Sequence, residues 1–191
     1  MRIILTRHGE TEENIKGIMQ GHLPGKLTEK GIEQAKRLAL RLKDEKIDAI
    51  YSSDLARAAD TTKEIAKFHP NIKVEFTEKL RERDHGSFTG KTAAEVKGKE
   101  YPDDAENSEA LQKRAKEVVD SVYEKYKDST VIFVTHGAMS KAIMSVIRGE
   151  PADFIRTMEK MKNTSVSIFE IHEDRSHKIH CLNCVKHLEK H

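Results

Sequence analysis

Apolar and polar positions change period several times along the chain, and each change marks an element. Arg2–Thr6, "RIILT", is a nearly continuous apolar run of the kind that forms a strand buried on both faces. Thr28 is a natural N-cap for a helix whose apolar positions Ile32, Ala35, Leu38, Ala39 and Leu42 recur at helical spacing. "DAIYSS" reads as a second strand. Ser53 or Asp54 caps a helix through Ala58, Ala59, Thr62, Ile65 and Ala66, closed by "HP". "IKVEF" is a third strand, and irregular "LRERDHGSFTG" follows it. A long helix from Ser108 presents Leu111, Ala115, Val118, Val119, Val122 and Tyr126 inward. "STVIFVTHG" is the clearest central strand, and "AMSKAIMSVIRG" is the helix leaving it. A further helix is predicted over roughly Pro151–Lys162. "SVSIFEIH" and "KIHCLNCV" then form an antiparallel edge pair around "EDRS".

Strands alternating with helices predict a three-layer α/β/α sandwich with a mostly parallel central sheet. The expected organisation is one domain over 1–191, with residues 81–107 as a lid or small excursion.

Composition narrows the partners. Charged residues make up 35% of the chain, yet 34 basic and 32 acidic side chains leave a net charge of +2, interspersed without a basic stripe. Nucleic acid is therefore not expected as a partner, and any anion site must be local. The longest apolar run, "VIFV", cannot span a bilayer, so no membrane association is expected either. The short apolar start is not expected to serve as a signal peptide, and two cysteines are too few for a secreted disulfide scaffold; the expected compartment is the cytoplasm. Oligomeric state is not legible.

In open α/β sheets, ligands bind outside the carboxyl ends of the strands. The residues that follow the four predicted strands are Arg7, His8, Gly9 and Asn14; Ser52, Ser53 and Arg57; Glu82; and His136 with Gly137. Two guanidiniums at one edge suit a dianion such as phosphate, because the planar fork matches its oxygens. They also disfavour a metal, since a cation held by His8, Glu10 and His136 would face both arginines, and no HExxH motif or nucleotide-cradling glycine loop is present. No cofactor is expected. Within such a crevice His8 can attack phosphorus, provided that its other ring nitrogen is held as a donor, as by a backbone carbonyl in the Gly9 turn. Glu82 is the first candidate for the acid, with Asp84 and Glu10 open as alternatives. His136 either caps its helix or meets the anion at that helix N-terminus. His22, His69 and His85 read as surface histidines. Cys181 and Cys184, with His180 and His187, have a spacing that zinc could use, although both cysteines also fit a strand and the bend after it.

These segments together resemble the histidine phosphatase superfamily, the phosphoglycerate-mutase-like phosphohydrolases, across nearly the whole chain. The resemblance rests on "TRHGETEEN", "MQGHLPGKLTEKGIEQA", "SSDLARAADTT", "LRERDHG" and "VTHG", in that order. It implies a phosphoglycerate-mutase-like fold and cofactor-independent turnover of a small phosphorylated substrate. His8 would be the nucleophile, Arg7, Asn14, Arg57 and His136 the phosphate pocket, Glu82 the proton donor, and Gln20, Gly21 and Gly137 further substrate contacts. Between Gly90 and Ser108 the chain has no Arg, whereas the family's mutases carry an Arg pair in a longer insertion; this favours phosphatase over mutase. A phospho-ligand binding module without activity would lack His8, Arg57, Glu82 or His136, and all four are present.

Overall fold

The computed structural model describes residues 1–189. In chain order the strands are β1 (Arg2–Arg7), β2 (Ala49–Ser53), β3 (Val74–Thr77), β4 (Thr130–Thr135), β5 (Val166–Ile171) and β6 (His177–Cys184). The helices are α1 (Glu12–Lys16), α2 (Glu29–Leu42), α3 (Ala56–Ala66), α4 (Ala93–Val96), α5 (Ser108–Lys125), α6 (Gly137–Ile147) and α7 (Phe154–Thr157). One six-stranded sheet has the order β3-β2-β4-β1-β5-β6. β1 to β4 run parallel, β5 is antiparallel to β1, and β6 is antiparallel to β5.

Side chains alternate across each strand, so the sheet feeds two cores. Ile3, Leu5, Val131 and Phe133 face α5 and α6, packing with Leu111, Val119, Val122, Met139 and Ile143. Ile4, Ile50, Ile132 and Val134 face α2 and α3, packing with Leu38, Leu42, Ala58 and Ile65. Helices on both faces make the expected three-layer α/β/α architecture. Each fully buried aliphatic side chain contributes about 1.5–3 kcal/mol relative to exposure, so the doubly covered β1 and β4 form the most strongly anchored part of the sheet. Among the described residues no helix is long and apolar enough to cross a membrane.

Several local readings need correction. The helix expected over Pro151–Lys162 is only Phe154–Thr157. Met158 turns extended, and the chain then runs back toward the end of β1, where the Met161 carbonyl accepts from Arg7. Neither Ser53 nor Asp54 caps α3; Leu55 occupies the N-cap without a side-chain bond, and Ser53 Oγ accepts from Leu55 N at 3.2 Å. Ile32 is 40% exposed; the buried residue at the start of α2 is Gly31. On α5 the last inward aromatic is Tyr123, with Tyr126 only partly buried. His69 is buried, its Nε2 3.1 Å from the Leu42 carbonyl, and His85 is half-buried.

Candidate active site

The parallel pairing of β1 and β4 brings the two histidines together. Arg7 pairs with Thr135, so His8 and His136 leave adjacent strands at the same level, and the His8 N–H donates to the Thr135 carbonyl at 3.0 Å. Their rings lie 5.1 Å apart, centroid to centroid. His8 Nδ1 is 2.7 Å from the Gly9 carbonyl, so that nitrogen carries the proton and Nε2 keeps its lone pair. Arg57 Nε donates to His8 Nε2 at 3.3 Å and to His136 Nδ1 at 3.1 Å. His136 must therefore be protonated on Nε2, which donates to Ser53 Oγ at 2.8 Å. Although it is the N-cap residue of α6, its side chain makes no capping bond.

Both imidazoles are fully buried, and burial, followed by repulsion from neighbouring cations, holds each pKa well below the ordinary 6.5. For His8 those cations are Arg7 and Arg57; for His136 Arg57 comes first. Burial also lowers Arg7, and lowers Arg57 to about 10, which still leaves it charged at neutral pH. Neither guanidinium has an ion-pair partner among the described residues, although their relative exposures are only 7% and 1%. Buried cations without carboxylate partners are costly, and an anionic ligand would relieve that cost.

The two arginines differ in how their donors are used. Arg57 gives Nη2 to the Gly21 carbonyl at 2.9 Å and Nη1 to the Leu23 and Pro24 carbonyls, besides the two rings on Nε. One of its five N–H groups is left for a ligand. Arg7 gives only Nη1, to the Met161 carbonyl, and its buried Nε has no partner. The fork aimed at the cavity is therefore Arg7, with Arg57 mainly organising the histidine pair.

Glu82 is held by its surroundings. Thr135 Oγ1 donates to the Leu80 carbonyl at 2.6 Å, and Arg114 of α5 donates to the carbonyls of Lys79, Arg81 and Glu82. The Glu82 carboxylate accepts from Arg83 N at 2.9 Å, Ala138 N at 3.0 Å and Met139 N at 3.2 Å, at the N-terminus of α6. Asn14 Oδ1 accepts from Asn163 Nδ2 at 3.0 Å, which leaves the Asn14 amide nitrogen to donate to a ligand. Gln20 donates to Thr11 Oγ1 at 2.9 Å. Arg7, His8, Asn14, Gln20, Arg57 and Glu82 line one cavity of about 220 Å³. Gly21 contributes its carbonyl to Arg57, and Gly137 lies beside Glu82 and Arg7. Glu10 points elsewhere, bonded to Lys30 at 2.9 Å and to Thr28. A larger hollow of about 710 Å³, between α5 and the far end of α6, contains none of these residues.

Some supports were not read from the sequence. Thr61 Oγ1 accepts from Gly9 N at 3.0 Å, Gln34 Oε1 from Glu10 N at 2.9 Å, and Asn163 Nδ2 donates to the His8 carbonyl at 3.0 Å. Thr61 and Gln34 fall inside the quoted motif segments, whereas Asn163 lies in an unpatterned stretch with no local signal. Among the described residues no three His, Cys, Asp or Glu side chains gather where they could hold a metal. In the tail, Cys184 Sγ instead accepts from Arg41 at 3.3 Å.

The sequence matches the family described as histidine phosphatase superfamily (branch 1) over residues 3–184. The chain belongs to the histidine phosphatase superfamily. Within it, the chain is 32% identical to phosphoglycerate mutase-like protein 4 of Arabidopsis thaliana, over 98% of this chain and 87% of that protein. It is also 32% identical to phosphoserine phosphatase 1 of Hydrogenobacter thermophilus, over 98% and 94%. Among solved structures, YhfR of Bacillus stearothermophilus superposes with a TM-score of 0.90 at 33% identity, covering 98% of this chain and 99% of that one.

Proposed function

We propose that this phosphatase of the histidine phosphatase superfamily works through a phosphohistidine formed at His8. The observation that carries the reading is the His8 ring itself: Nδ1 is fixed as a donor to Gly9, and the Nε2 lone pair, which accepts from Arg57 Nε at 3.3 Å in the free protein, is the one nitrogen left for attack at a cavity that also holds the partly free fork of Arg7. In this reading His8 Nε2 attacks phosphorus, and the bond from phosphorus to the leaving oxygen breaks. Arg7 and Arg57 neutralise the phosphoryl oxygens, Asn14 donates to them, and His136 joins once the anion lets it take up a proton, with the α6 N-terminus and Gly137 behind them. Glu82 gives the leaving oxygen its proton, then takes one from the water that cleaves the intermediate. Gln20 and Gly21 shape the wall of the cavity. Residues 1–191 act as one unit, with 81–107 carrying Glu82 and walling the leaving-group side. The substrate is a small phosphorylated compound, as the names of the phosphatase relatives suggest, and the cysteine usage favours the cytoplasm.

The test is single-turnover phosphorylation followed by alkaline quench, which spares phosphohistidine. Wild type should retain label that His8→Ala lacks, while His8→Ala keeps its fold and much of its affinity for inorganic phosphate. Turnover by His8→Ala at the wild-type rate would end the proposal. Free phosphate should outrun isomer formation when 3-phosphoglycerate is supplied with a bisphosphoglycerate primer. Treatment with a chelator should leave the rate unchanged; loss restored by one metal would require a different site.

A further inference from the structure

Next to the reaction cavity lies a second hollow of about 290 Å³ that shares Arg7, Glu82 and Lys160 with it. Its outer wall is cationic: Arg83, Lys141, Arg156 and Lys160 line it, and Glu82 is its one carboxylate. None of these four cations has an ion-pair partner among the described residues, although the chain is rich in Glu and most neighbouring arginines do pair. Their polar contacts are neutral. Lys141 Nζ donates to the Met158 carbonyl at 2.7 Å, while Arg83 and Arg156 both donate to one hydroxyl, Ser108 Oγ, at 3.2 and 3.3 Å. Arg83 Nε is buried without any partner. Two guanidiniums tethered to one oxygen are like charges held together, Arg83 half-buried and Arg156 exposed, and an anion bound by both would relieve their mutual repulsion.

The position says which part of a substrate would arrive there. If Glu82 protonates the leaving oxygen, the rest of the leaving alcohol lies next to Glu82 and away from His8; this hollow is lined by Glu82 and not by His8. We propose that it is a subsite for a second phosphoryl group carried by the leaving alcohol, so that the preferred substrate is a small bisphosphorylated compound. This rests on the reading of His8 and Glu82 given above. A phosphoryl dianion suits the site better than a carboxylate, because four cations against one Glu82 leave a surplus that a single negative charge would not balance. Its three oxygens, each able to accept more than one hydrogen bond, also offer more acceptors to the two guanidiniums and two ammonium groups than the two oxygens of a carboxylate. The first phosphoryl group is then transferred to His8 and released as inorganic phosphate, while the second leaves with the alcohol as a monophosphate.

The experiment compares three synthetic esters of similar length: 1,3-propanediol bisphosphate, propyl phosphate and 4-phosphonooxybutyrate. Phosphate release is followed for wild type, Lys141→Gln, Arg156→Gln and the double variant, with melting curves to show that each folds. Wild type should favour the bisphosphate in kcat/KM, and each substitution should lower that value by roughly 10- to 100-fold, the scale of one lost charge-assisted bond. On propyl phosphate the same substitutions should cost less than roughly threefold, since only distant screening changes. Equal wild-type kcat/KM for the bisphosphate and propyl phosphate would overturn the subsite, as would equal losses on both. Higher activity on the carboxylate ester would overturn the assignment to phosphoryl. Absence of turnover on every ester, with no phosphoenzyme, would remove the hydrolase reading and this proposal together, an outcome distinct from turnover without preference.

Discussion

Arg7 and Arg57 are both buried beside His8, yet their hydrogen bonds assign them different parts. Arg57→Ala would strip donors from the Gly21, Leu23 and Pro24 carbonyls and from both imidazoles. Unmade buried bonds of this kind cost about 1–3 kcal/mol each, so stability should fall by roughly 2–4 kcal/mol after partial relaxation. Arg7→Gln should instead leave the melting temperature nearly intact and weaken inorganic phosphate or vanadate by roughly 10- to 100-fold. Titration calorimetry beside thermal melts separates the two; equal affinity losses with equal melting temperatures would contradict the division. Glu82→Gln is the matching test of the acid. Alkyl phosphates expel a strongly basic alkoxide, so phosphoenzyme formation from them should slow by roughly 10²- to 10⁴-fold, and from p-nitrophenyl phosphate far less. Equal single-turnover losses on both ester types would argue against Glu82 as the acid. Arg7, His8, Arg57, Glu82 and His136 were legible because strand ends can be located from apolar runs. The division between the arginines was not, because it is decided by backbone carbonyls, which every residue carries alike.

At the level of elements, a glycine contact brings the start of α2 against the turn after β1. A Cβ on Gly31 would lie far inside van der Waals contact distance of the Glu10 carbonyl oxygen, and a Cβ on Gly9 would come within 2.5 Å of the Gly31 carbonyl oxygen. All of these neighbours are backbone and cannot swing away. Gly31→Ala must therefore push α2 from the loop that fixes His8 Nδ1 through Gly9, even though alanine favours helix by propensity. We expect a loss of at least about 2 kcal/mol in urea unfolding and a larger fall in kcat than that stability loss explains. Native stability and rate in Gly31→Ala would show that the loop is not held by this contact. Strands and long helices were readable because their apolar periods are set by burial on known faces. The helix that the sequence predicts over Pro151–Lys162 stops at Thr157 because the residues beyond it bond to the site rather than to each other: Met161 to Arg7, Asn163 to His8. Such long-range hydrogen bonds leave no period in the sequence.

For the whole molecule, burying two neutral imidazoles beside the Arg7 and Arg57 guanidiniums ties folding to pH. His8 and His136 titrate in the folded protein well below 6.5, whereas in the unfolded chain each binds a proton near that value. Below pH 6.5 the unfolded state therefore holds more protons, and stability falls as the pH falls. Each such histidine costs about 1.4 kcal/mol per pH unit below 6.5 until the folded ring itself protonates, so two give about 2.7 kcal/mol per unit. His187, lowered to about 4, and half-buried His85, also lowered, act in the same direction. Ordinary carboxylates titrate nearer pH 4, so the window from 6.5 to 5 isolates the histidines. Urea unfolding across that window should give a steep acid limb, and His136→Asn should make it shallower by about one proton, or 1.4 kcal/mol per unit, whatever its effect at pH 7.5. Inorganic phosphate should raise stability more strongly at pH 5.5 than at 7.5, because an anion between Arg7, Arg57 and the rings lets the histidines bind the protons that the unfolded chain otherwise binds alone. A flat profile between pH 7.5 and 5, or a phosphate effect independent of pH, would mean that the pair is not neutral in the free protein, and the lone pair assigned to His8 Nε2 would have to be reconsidered.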